Sequence, residues 1–360
     1  MRARSAAALL LAAALAACVQ APSATPPGII ADDRPEIAAR PALYDLADVS
    51  ATNLAGTPQL FVFQKNGRTL SLFGTMHAVP AGFRWLRPEV RRAFAEADLV
   101  MTEVGTTDAA QYNPRTSEMG DLMALLARND GLNTLDLVAL PGTPERTELD
   151  AALDLAGVQA AALGALRPWT LCLDLQRGES AGVLNRLGAA SRKARIAAMQ
   201  AVGPIETGPA SPDARIERFR LSHGLAHRQL ETFATRSRIY STLPDADALA
   251  CIRHRAHAIV SGEDWQAFPT RFAGSLENWR RGDVEAARKI EIAETAKMSP
   301  AFAVRLYQMR EAQWLSQITE RCEAAGIDCA IAVGFAHLGG RDGLMKSLER
   351  LGYKRVQEAS

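Results

Sequence analysis

The chain has 360 residues, of which 48% are hydrophobic and 22% are charged. This length and composition are typical of a globular protein that can bury a sizeable core. Its 41 basic and 40 acidic side chains leave a formal charge of +1. Because nucleic-acid-binding proteins usually carry a basic patch or a marked excess of basic residues, we expect no nucleic-acid partner.

The N-terminus has the pattern of a secretion signal. Two arginines precede residues 6–17, an uncharged stretch of Ala and Leu that is too short to cross a bilayer as a helix. The sequence LAAC at residues 15–18 resembles the lipobox of bacterial lipoproteins, in which the cysteine becomes the lipidated N-terminus. We therefore expect a signal peptide over residues 1–17 and a lipid on Cys18. A plain cleavage site beside an incidental cysteine is the alternative.

A lipid on Cys18 predicts a protein anchored to a membrane of the cell envelope and facing the periplasm, with the outer membrane as the expected location. Residues 18–42 are rich in Pro and Ala and have no periodic apolar face, which indicates a flexible tether. A folded domain is expected over residues 43–357. No other segment of the sequence has the pattern of a membrane span.

The four remaining cysteines are an even number in a compartment that permits disulfides. Cys322 and Cys329 flank Gly326 at a predicted helix-to-strand turn, which makes them the more plausible pair. Cys172 and Cys251 are the other two. Buried free thiols are the alternative interpretation, because cysteine is often buried as a small apolar residue.

The folded part begins with a predicted hairpin. The sequence FVFQKNGRTLSLF alternates apolar and polar residues on both sides of Asn66-Gly67, which favours a type I′ turn between two antiparallel strands. The second strand runs into Gly74, and His77 follows three residues later. Pro88 then begins a predicted helix, and LVMTEV at residues 99–104 is a short apolar run typical of a buried strand. The order is strand, GxxH loop, helix, strand.

The C-terminal part repeats this order. A long helix is predicted from Ser299, its N-cap, to a stop at Gly326. A buried strand at residues 330–333 then leads into Gly334 and His337, which are followed by a glycine loop, a helix and a last strand. The two copies are about 260 residues apart, too far for a tandem array, so we interpret them as two halves of one sheet.

The middle of the chain, from about residue 118 to residue 297, has mostly helical patterns separated by joints rich in Pro and Gly. We interpret it as a large helical insertion that covers one end of the sheet. The predicted fold class is therefore α/β with α+β character. It has a mixed central sheet, built from two strand-GxxH-helix-strand halves, with the helical insertion between them.

The two GxxH motifs place imidazoles where ligands bind in α/β proteins. Each glycine permits a tight turn at the end of a strand, and each histidine follows at the carboxyl-end rim of the sheet. Glu103, at the end of the LVMTEV strand, would reach the same rim. Two histidines and one glutamate form a known catalytic metal set, so His77, His337 and Glu103 are the predicted metal ligands. Loop histidines with only local hydrogen bonds are the alternative, because a single GxxH is a weak motif.

A second histidine pattern competes with this site. His223, His227 and Glu231 are spaced i, i+4 and i+8, which predicts one helix face that could bind a metal, although such spacing more often marks a solvated face. His254 and His257 lie among arginines, which would repel a cation. Nucleophilic catalysis is not supported, because the sequence has no GxSxG motif and no cysteine beside a candidate histidine motif.

Two blocks resemble the signature blocks of the TraB/GumN family, which is related to the TIKI metalloproteases: LFGTMHAVP with VRRAFAEADLVMTEV, and AVGFAHLGGRDGLMKSLERLGYKRV. LRPWTL, QLETF and YQMREAQWLSQI resemble weaker family blocks. The resemblance implies an α/β core of the erythromycin-esterase and haem-uptake-protein type, and a metal site of two motif histidines and an acidic residue. It also implies peptide-bond hydrolysis aided by a divalent metal ion such as Mn, Co or Zn.

The same resemblance adds two candidates. Glu231 lies in the LET block and is the second candidate carboxylate, as a ligand or a general base. Arg310, if it matches the family arginine, would bind a substrate carboxylate through its planar guanidinium, and a surface helix arginine is the alternative. The sequence departs from the family at Glu311, where Asn is usual, and over residues 178–225, which lack the expected Gly-rich segment.

These patterns together predict a lipid-anchored envelope protein with a metal-dependent, peptidase-like hydrolase site. His77 and His337 are the expected ligands, and Glu103 is a ligand or the general base that activates a metal-bound water. The alternative, from a different class, is a non-catalytic binding or accessory protein for peptide or polysaccharide in the envelope. The presence of both glycines and both histidines favours the enzyme.

Overall fold

The computed structural model describes residues 58–103, 126, 130–156, 164–181 and 189–356. The predicted signal peptide, the lipid site at Cys18 and the tether lie outside these residues. The contacts of the chain divide it into two compact units. The described residues of the larger one, here the sheet unit, are 58–103, 195–242 and 265–356; those of the other, the helical unit, are 126, 130–156, 164–181, 189–194 and 243–264.

Strands occur in the sheet unit. In chain order they are β1 (Leu60–Lys65), β2 (Arg68–Thr75), β3 (Ala78–Pro80), β4 (Leu99–Thr102), β5 (Ile205–Thr207), β6 (His227–Gln229), β7 (Cys329–Gly334) and β8 (Lys354–Val356). Six of them form the central sheet in the order β6-β4-β7-β2-β1-β8, and β3 pairs with β5 in a second sheet. β2, β7, β4 and β6 run parallel, whereas β1 is antiparallel to β2 and β8. The four parallel strands therefore end at one edge, which we call the carboxyl edge.

The predicted hairpin is confirmed. β1 and β2 pair antiparallel, with Leu60 opposite Phe73 and Lys65 opposite Arg68. The turn residues Asn66-Gly67 have φ angles of 53° and 74°, and positive values at both positions are what a type I′ turn requires. The side chains of β2 from its third residue onward are buried, so the hairpin brings one strand into the centre of the sheet.

Helices connect these strands. In chain order the described ones are α1 (Pro88–Glu96), α2 (Thr134–Val138), α3 (Pro144–Ala156), α4 (Pro168–Ala181), α5 (Ala189–Val202), α6 (Pro212–Ser222), α7 (Phe233–Ser241), α8 (Asp245–Ser261), α9 (Glu263–Arg281), α10 (Val284–Met298), α11 (Pro300–Val304), α12 (Arg310–Ile318) and α13 (Leu344–Arg350). α1 precedes β4 and α13 precedes β8, so the order strand, GxxH, helix, strand occurs twice. The mixed α/β class is confirmed. In the described part of the chain, no helix is both long and apolar enough to cross a membrane.

The long C-terminal helix predicted from the sequence is a helical segment with two π-helical parts. It begins after Ser299, whose side chain accepts a hydrogen bond from the first turn of α11. Residues 305–309 and 319–323 are π-helical and lie on either side of α12. Each π turn holds more residues than an α turn and is common at functional sites. Arg310 and Glu311 directly follow the first π-helical part.

The middle stretch, residues 118–297, is not purely helical. Its described residues also form β5 and β6, and β6 is an edge strand of the central sheet. The helix predicted through HGLAHRQLE is wrong: α6 ends at Ser222, Gly224 has a φ of 61°, and β6 begins at His227. A left-handed residue ends a right-handed helix, so the two histidines and the glutamate of this pattern do not share a helix face.

Each unit contains one disulfide between described cysteines. In the helical unit, Cys172 of α4 is bonded to Cys251 of α8, with Cα atoms 5.7 Å apart. In the sheet unit, Cys322 is bonded to Cys329, as predicted. The second bond joins the helical segment that carries α12 to the first residue of β7.

Candidate active site at the carboxyl edge

The candidate residues follow neighbouring strands of the carboxyl edge. β2 and β7 pair in parallel with Thr75 opposite Gly334, so the two GxxH motifs leave the sheet side by side. β4 lies on the other side of β7 and is followed by Glu103. β6 lies beside β4, and the backbone N–H of Glu231 donates to the carbonyl of Glu103 at 3.2 Å. The structure therefore brings both motifs and both carboxylates to one edge.

The first glycine of each motif is required by close packing. A Cβ atom on Gly74 would lie 2.4 Å from Cδ2 and 2.9 Å from Cα of Phe335, inside the second motif. A Cβ atom on Gly334 would lie 3.3 Å from Cδ2 of His337 and 3.4 Å from Oε2 of Glu103. Gly74 thus lets the two motifs touch, and Gly334 leaves room for His337 beside Glu103.

We expect Gly74→Ala to lower the free energy of unfolding by about 1–3 kcal/mol, because the added methyl group overpacks against Phe335. Gly274→Ala in α9 is the matched control: apart from the backbone of its own helix, no atom of the described residues lies within 4 Å of its Cβ position, and alanine in a helix interior is more stable than glycine by about 0.5–1 kcal/mol. Urea denaturation followed by circular dichroism measures both variants. Equal unfolding free energies for the two would contradict the close packing of the motifs.

His337 is buried and its ring is fixed by a carboxylate. The side chain is 7% exposed, and Nδ1 lies 2.9 Å from Oε1 of Glu311. Arg288 donates to both carboxylate oxygens of Glu311 and lies over the Tyr307 ring, with Cζ 4.2 Å from its centroid. The Trp314 ring lies 4.6 Å from the imidazole. Because Nδ1 is occupied by Glu311, Nε2 is the ring nitrogen of His337 that can bind a ligand.

His77 is the exposed member of the pair, with 84% of its side chain open to solvent. Its Nδ1 lies 2.9 Å from Oδ2 of Asp213, and the hydroxyl of Thr75 donates to Oδ1 of the same carboxylate. Asp213 is the second residue of α6, and the pairing of Ala78 with Thr207 between β3 and β5 brings α6 beside the first motif. Among the described residues, none forms a hydrogen bond with Nε2 of His77.

The pairing with Asp213 changes the charge of His77. The hydrogen bond and the negative charge of the carboxylate raise the pKa of His77 from 6.5 to about 9. His77 is therefore protonated at neutral pH. Because the folded-state pKa is raised, the stabilisation from this pair is fully present below about pH 6.5 and is lost as the pH rises through about 9.

We expect an NMR titration of the His77 ring to have a midpoint near pH 9 in the wild type and one closer to 6.5 in Asp213→Asn, because the amide removes the negative charge. His257 is the internal control. Its Nδ1 also lies 2.9 Å from a carboxylate, that of Glu148, and its titration should be the same in both proteins. A wild-type midpoint of 6.5 for His77 would refute the pairing.

A buried chain of ion pairs lies behind the two motifs. Arg310 is 3% exposed. Its Nη2 donates to Oε1 of Glu103, and its Nη2 and Nε donate to the two oxygens of Glu231 at 2.6 and 2.9 Å. Its Nη1 donates to the carbonyl of Leu306, and Trp314 Nε1 donates to Glu231 at 3.2 Å. The guanidinium is therefore occupied by groups of the protein itself, rather than open to the substrate carboxylate predicted from the sequence.

Glu103 directs one oxygen to Arg310 and the other to the second motif. Oε1 accepts from Arg310, and Oε2 accepts from the backbone N–H of Gly334 at 3.1 Å. Burial disfavours the charged form, but the surrounding positive charges, that of Arg310 first, outweigh it and hold the pKa of Glu103 well below 4.5. Such a carboxylate is a weak general base at neutral pH, but it is ionised as a metal ligand must be.

The donors at the carboxyl edge have the chemistry that a divalent metal ion requires. In both motif histidines, Nδ1 lies beside a carboxylate oxygen, and no described residue forms a hydrogen bond with Nε2. Metal-bound histidines usually have this arrangement, with Nε2 on the metal. Oε2 of Glu103 and the ring of His337 both lie beside Gly334. Within the described ranges, no three His, Cys, Asp or Glu side chains are already gathered as a ligand set. The donors thus fit a metal by type, and the exposed His77 is the one free to complete the set.

Two acidic residues of this site carry almost no signal in the sequence. Asp213 follows Ser211-Pro212, a pair that predicts only the start of a helix. Its partner His77 is 136 residues away in the chain, so no local pattern links the two. Glu311 entered only as a departure from the family pattern. That departure, a carboxylate in place of an amide next to Arg310, is the one signal that the sequence offers.

The fold defines the class: this is an α/β protein in which histidines and carboxylates follow parallel strands at one edge of the sheet, where ligands bind in such folds. Within that class the chain belongs to the TraB/PrgY/gumN family, whose model matches residues 60–357. This confirms the resemblance found in the paired GxxH blocks. Comparisons with curated proteins and with solved structures returned no significant match.

Proposed function

We propose that this protein is a metal-dependent hydrolase with peptidase-like activity, anchored in the cell envelope by a lipid on Cys18. Family membership supports the proposal. The observation that carries it is the parallel pairing of β2 with β7, which sets His77 and His337 at one edge beside Glu103. These three residues would hold the divalent ion, for which Mn, Co and Zn are the candidates.

The bound ion would act as a Lewis acid that polarises a peptide carbonyl and makes a water molecule more acidic. The residues of the chain prepare its ligands. Arg310 keeps Glu103 ionised, so Glu103 would serve as a ligand rather than as the general base. Glu231 is 1% exposed and both of its oxygens bond Arg310. Glu231 and Arg310 therefore position Glu103 and do not touch the substrate.

His77 links metal binding to pH. Its pKa of about 9 means that the ring carries a proton on both nitrogens at neutral pH. A ligand nitrogen must be deprotonated, so Nε2 of His77 would have to lose its proton to bind a metal ion, while the Nδ1 proton stays on the side of Asp213. Metal affinity is therefore expected to rise with pH until His77 is neutral.

The proposed location is supported by the cysteines. The Cys172–Cys251 and Cys322–Cys329 disulfides fit an oxidising compartment such as the periplasm. Mass spectrometry of the membrane fraction tests the anchor: a lipidated N-terminal peptide beginning at Cys18 is expected. A protein that stays in the membrane fraction unchanged after Cys18→Ala would contradict the lipid anchor.

Isothermal titration of the metal-free protein with Zn²⁺, Mn²⁺ and Co²⁺ tests the function, together with mass spectrometry of a peptide mixture. We expect one ion per chain and metal-dependent cleavage. His77→Ala and His337→Ala each lose a ligand, so their affinity should fall by more than the roughly 10- to 100-fold that is typical when only an outer-shell partner is lost. His257→Ala is the matched control and should bind like the wild type. Peptide binding without metal and without cleavage would instead favour a non-catalytic binding protein.

A further inference from the structure

The two motif histidines are held in the same way by acidic residues that lie outside the motifs. The distance from Nδ1 to the carboxylate oxygen is 2.9 Å both for His77 with Asp213 and for His337 with Glu311. Asp213 is the second residue of α6, whereas Glu311 lies in α12, inside the helical segment that begins after Ser299. Neither helix belongs to the strand-GxxH-helix-strand units, so the match does not follow from the repeat.

Each carboxylate is in turn oriented by a second donor. The hydroxyl of Thr75 donates to Oδ1 of Asp213 and leaves Oδ2 for His77. Arg288 donates to both oxygens of Glu311, and Oε1 also faces His337. An ionised carboxylate only accepts hydrogen bonds. A ring nitrogen 2.9 Å from it must therefore carry the proton.

We propose that Asp213 and Glu311 are positioning residues that fix each neutral motif histidine with its proton on Nδ1, so that both rings present the lone pair of Nε2 to the carboxyl edge. The inference rests on the proposed function, because two Nε2 lone pairs that face the same edge would bind one shared ligand. If the two pairs were only structural ion pairs, the position of the ring proton would have no consequence for ligand binding.

The first test determines the tautomer of each histidine without any metal. Long-range ¹H–¹⁵N NMR spectra of the metal-free, ¹⁵N-labelled protein show which ring nitrogen is protonated, and the chain has only six histidines. At about pH 10, above the pKa of His77, we expect Nδ1–H at His77 and His337. In Asp213→Ala, His77 should change to the Nε2–H form that a free imidazole side chain prefers, and His337 should not change.

Glu148→Ala is the matched control variant. It removes a carboxylate at the same 2.9 Å distance from Nδ1 of His257, in the helical unit. Its spectrum should differ from that of the wild type at His257 alone. Folded Asp213→Ala protein with His77 still protonated on Nδ1, or wild-type protein with either motif histidine protonated on Nε2, overturns the proposal.

The second test is the affinity for Zn²⁺. Loss of an orienting carboxylate typically weakens metal binding about 10- to 100-fold, so we expect this loss in Asp213→Ala and Glu311→Ala and none in Glu148→Ala. Glu311→Ala also leaves Arg288, which is 6% exposed, without its carboxylate partner. If that variant fails to fold, Asp213→Ala carries the test, because the Asp213 side chain is 34% exposed.

The two tests separate this inference from the function on which it rests. If the wild-type protein has the expected tautomers but binds no metal, the positioning role is supported and the proposed metal-dependent function is refuted. Wild-type protein that binds Zn²⁺, with an affinity that Asp213→Ala leaves unchanged, supports the function and overturns the positioning role.

Discussion

Replacing Arg310 by methionine is expected to lower the free energy of unfolding by about 3–5 kcal/mol, because removal of one partner leaves buried charges without compensation. Arg310 is the hydrogen-bonded counter-charge of both Glu103 and Glu231, whose side chains are 18% and 0% exposed. Arg236 approaches Glu231 only to 3.9 Å. The pair with Glu103 also depends on pH. Because the pKa of Glu103 is depressed, its stabilisation is present above about pH 4.5 and is lost as the pH falls below that value.

Urea denaturation at neutral and acidic pH measures this effect. Arg281→Met is the matched control, because the Arg281 side chain is 72% exposed and pairs with Glu277 one helical turn away. Such surface pairs contribute less than about 1 kcal/mol. The difference between Arg310→Met and wild type should shrink below pH 4.5. A loss at neutral pH no larger than that of Arg281→Met would contradict the role of Arg310 as the central cation of the site.

Replacing both cysteines of the Cys172–Cys251 disulfide by serine should cost about 4.5 kcal/mol, against about 2.5 kcal/mol for the Cys322–Cys329 disulfide. The reason is the length of chain that each bond closes, with sequence separations of 79 and 7. A longer closed loop removes more conformational entropy from the unfolded chain.

Guanidinium denaturation of the two double-serine variants measures this difference, with wild-type protein in reductant as the control. Reductant should lower the free energy of unfolding of the wild type. In each double-serine variant it can break only the one disulfide that remains, so the further loss should be smaller. A larger loss for the Cys322–Cys329 pair would contradict the loop-length argument. A wild-type protein that is equally stable in reductant would remove the support that the disulfides provide for an oxidising compartment.

Local signals were sufficient where one chemical preference determines the structure. Asn66-Gly67 predicted the hairpin because few other dipeptides accept positive φ at both positions. The edge shared by His77 and His337 was predictable because parallel strands end on the same side of a sheet. Glu103 followed by the same reasoning, since a buried apolar run ends directly before it.

Local signals failed where distant contacts determine the structure. The strand at His227–Gln229 is only three residues long and pairs with β4, which lies more than a hundred residues away in the chain. Its sequence neighbourhood has helical spacing, and only Gly224, with its φ of 61°, shows that the helix stops. The partner of His77 could not be predicted, because Asp213 reaches it through the pairing of β3 with β5.

The roles of Glu311 and Arg310 depend on charges that only the folded chain brings together. Glu311 is an interior carboxylate because Arg288 from α10 compensates its charge. Arg310 resembles a substrate-binding arginine in the sequence, yet two carboxylates from the ends of β4 and β6 enclose it. The sequence of one chain shows that such charged residues are present, but not which of them form ion pairs.

Anomalous diffraction from crystals of the protein grown with Zn²⁺ tests the central claim most directly. We predict one zinc peak per chain at the carboxyl edge, with Nε2 of His77 and Nε2 of His337 at about 2.0–2.1 Å and a carboxylate oxygen of Glu103 at about 2.0–2.2 Å. A zinc ion bound only elsewhere, or no peak at this edge at saturating zinc, would contradict a metal site shared by the two GxxH motifs.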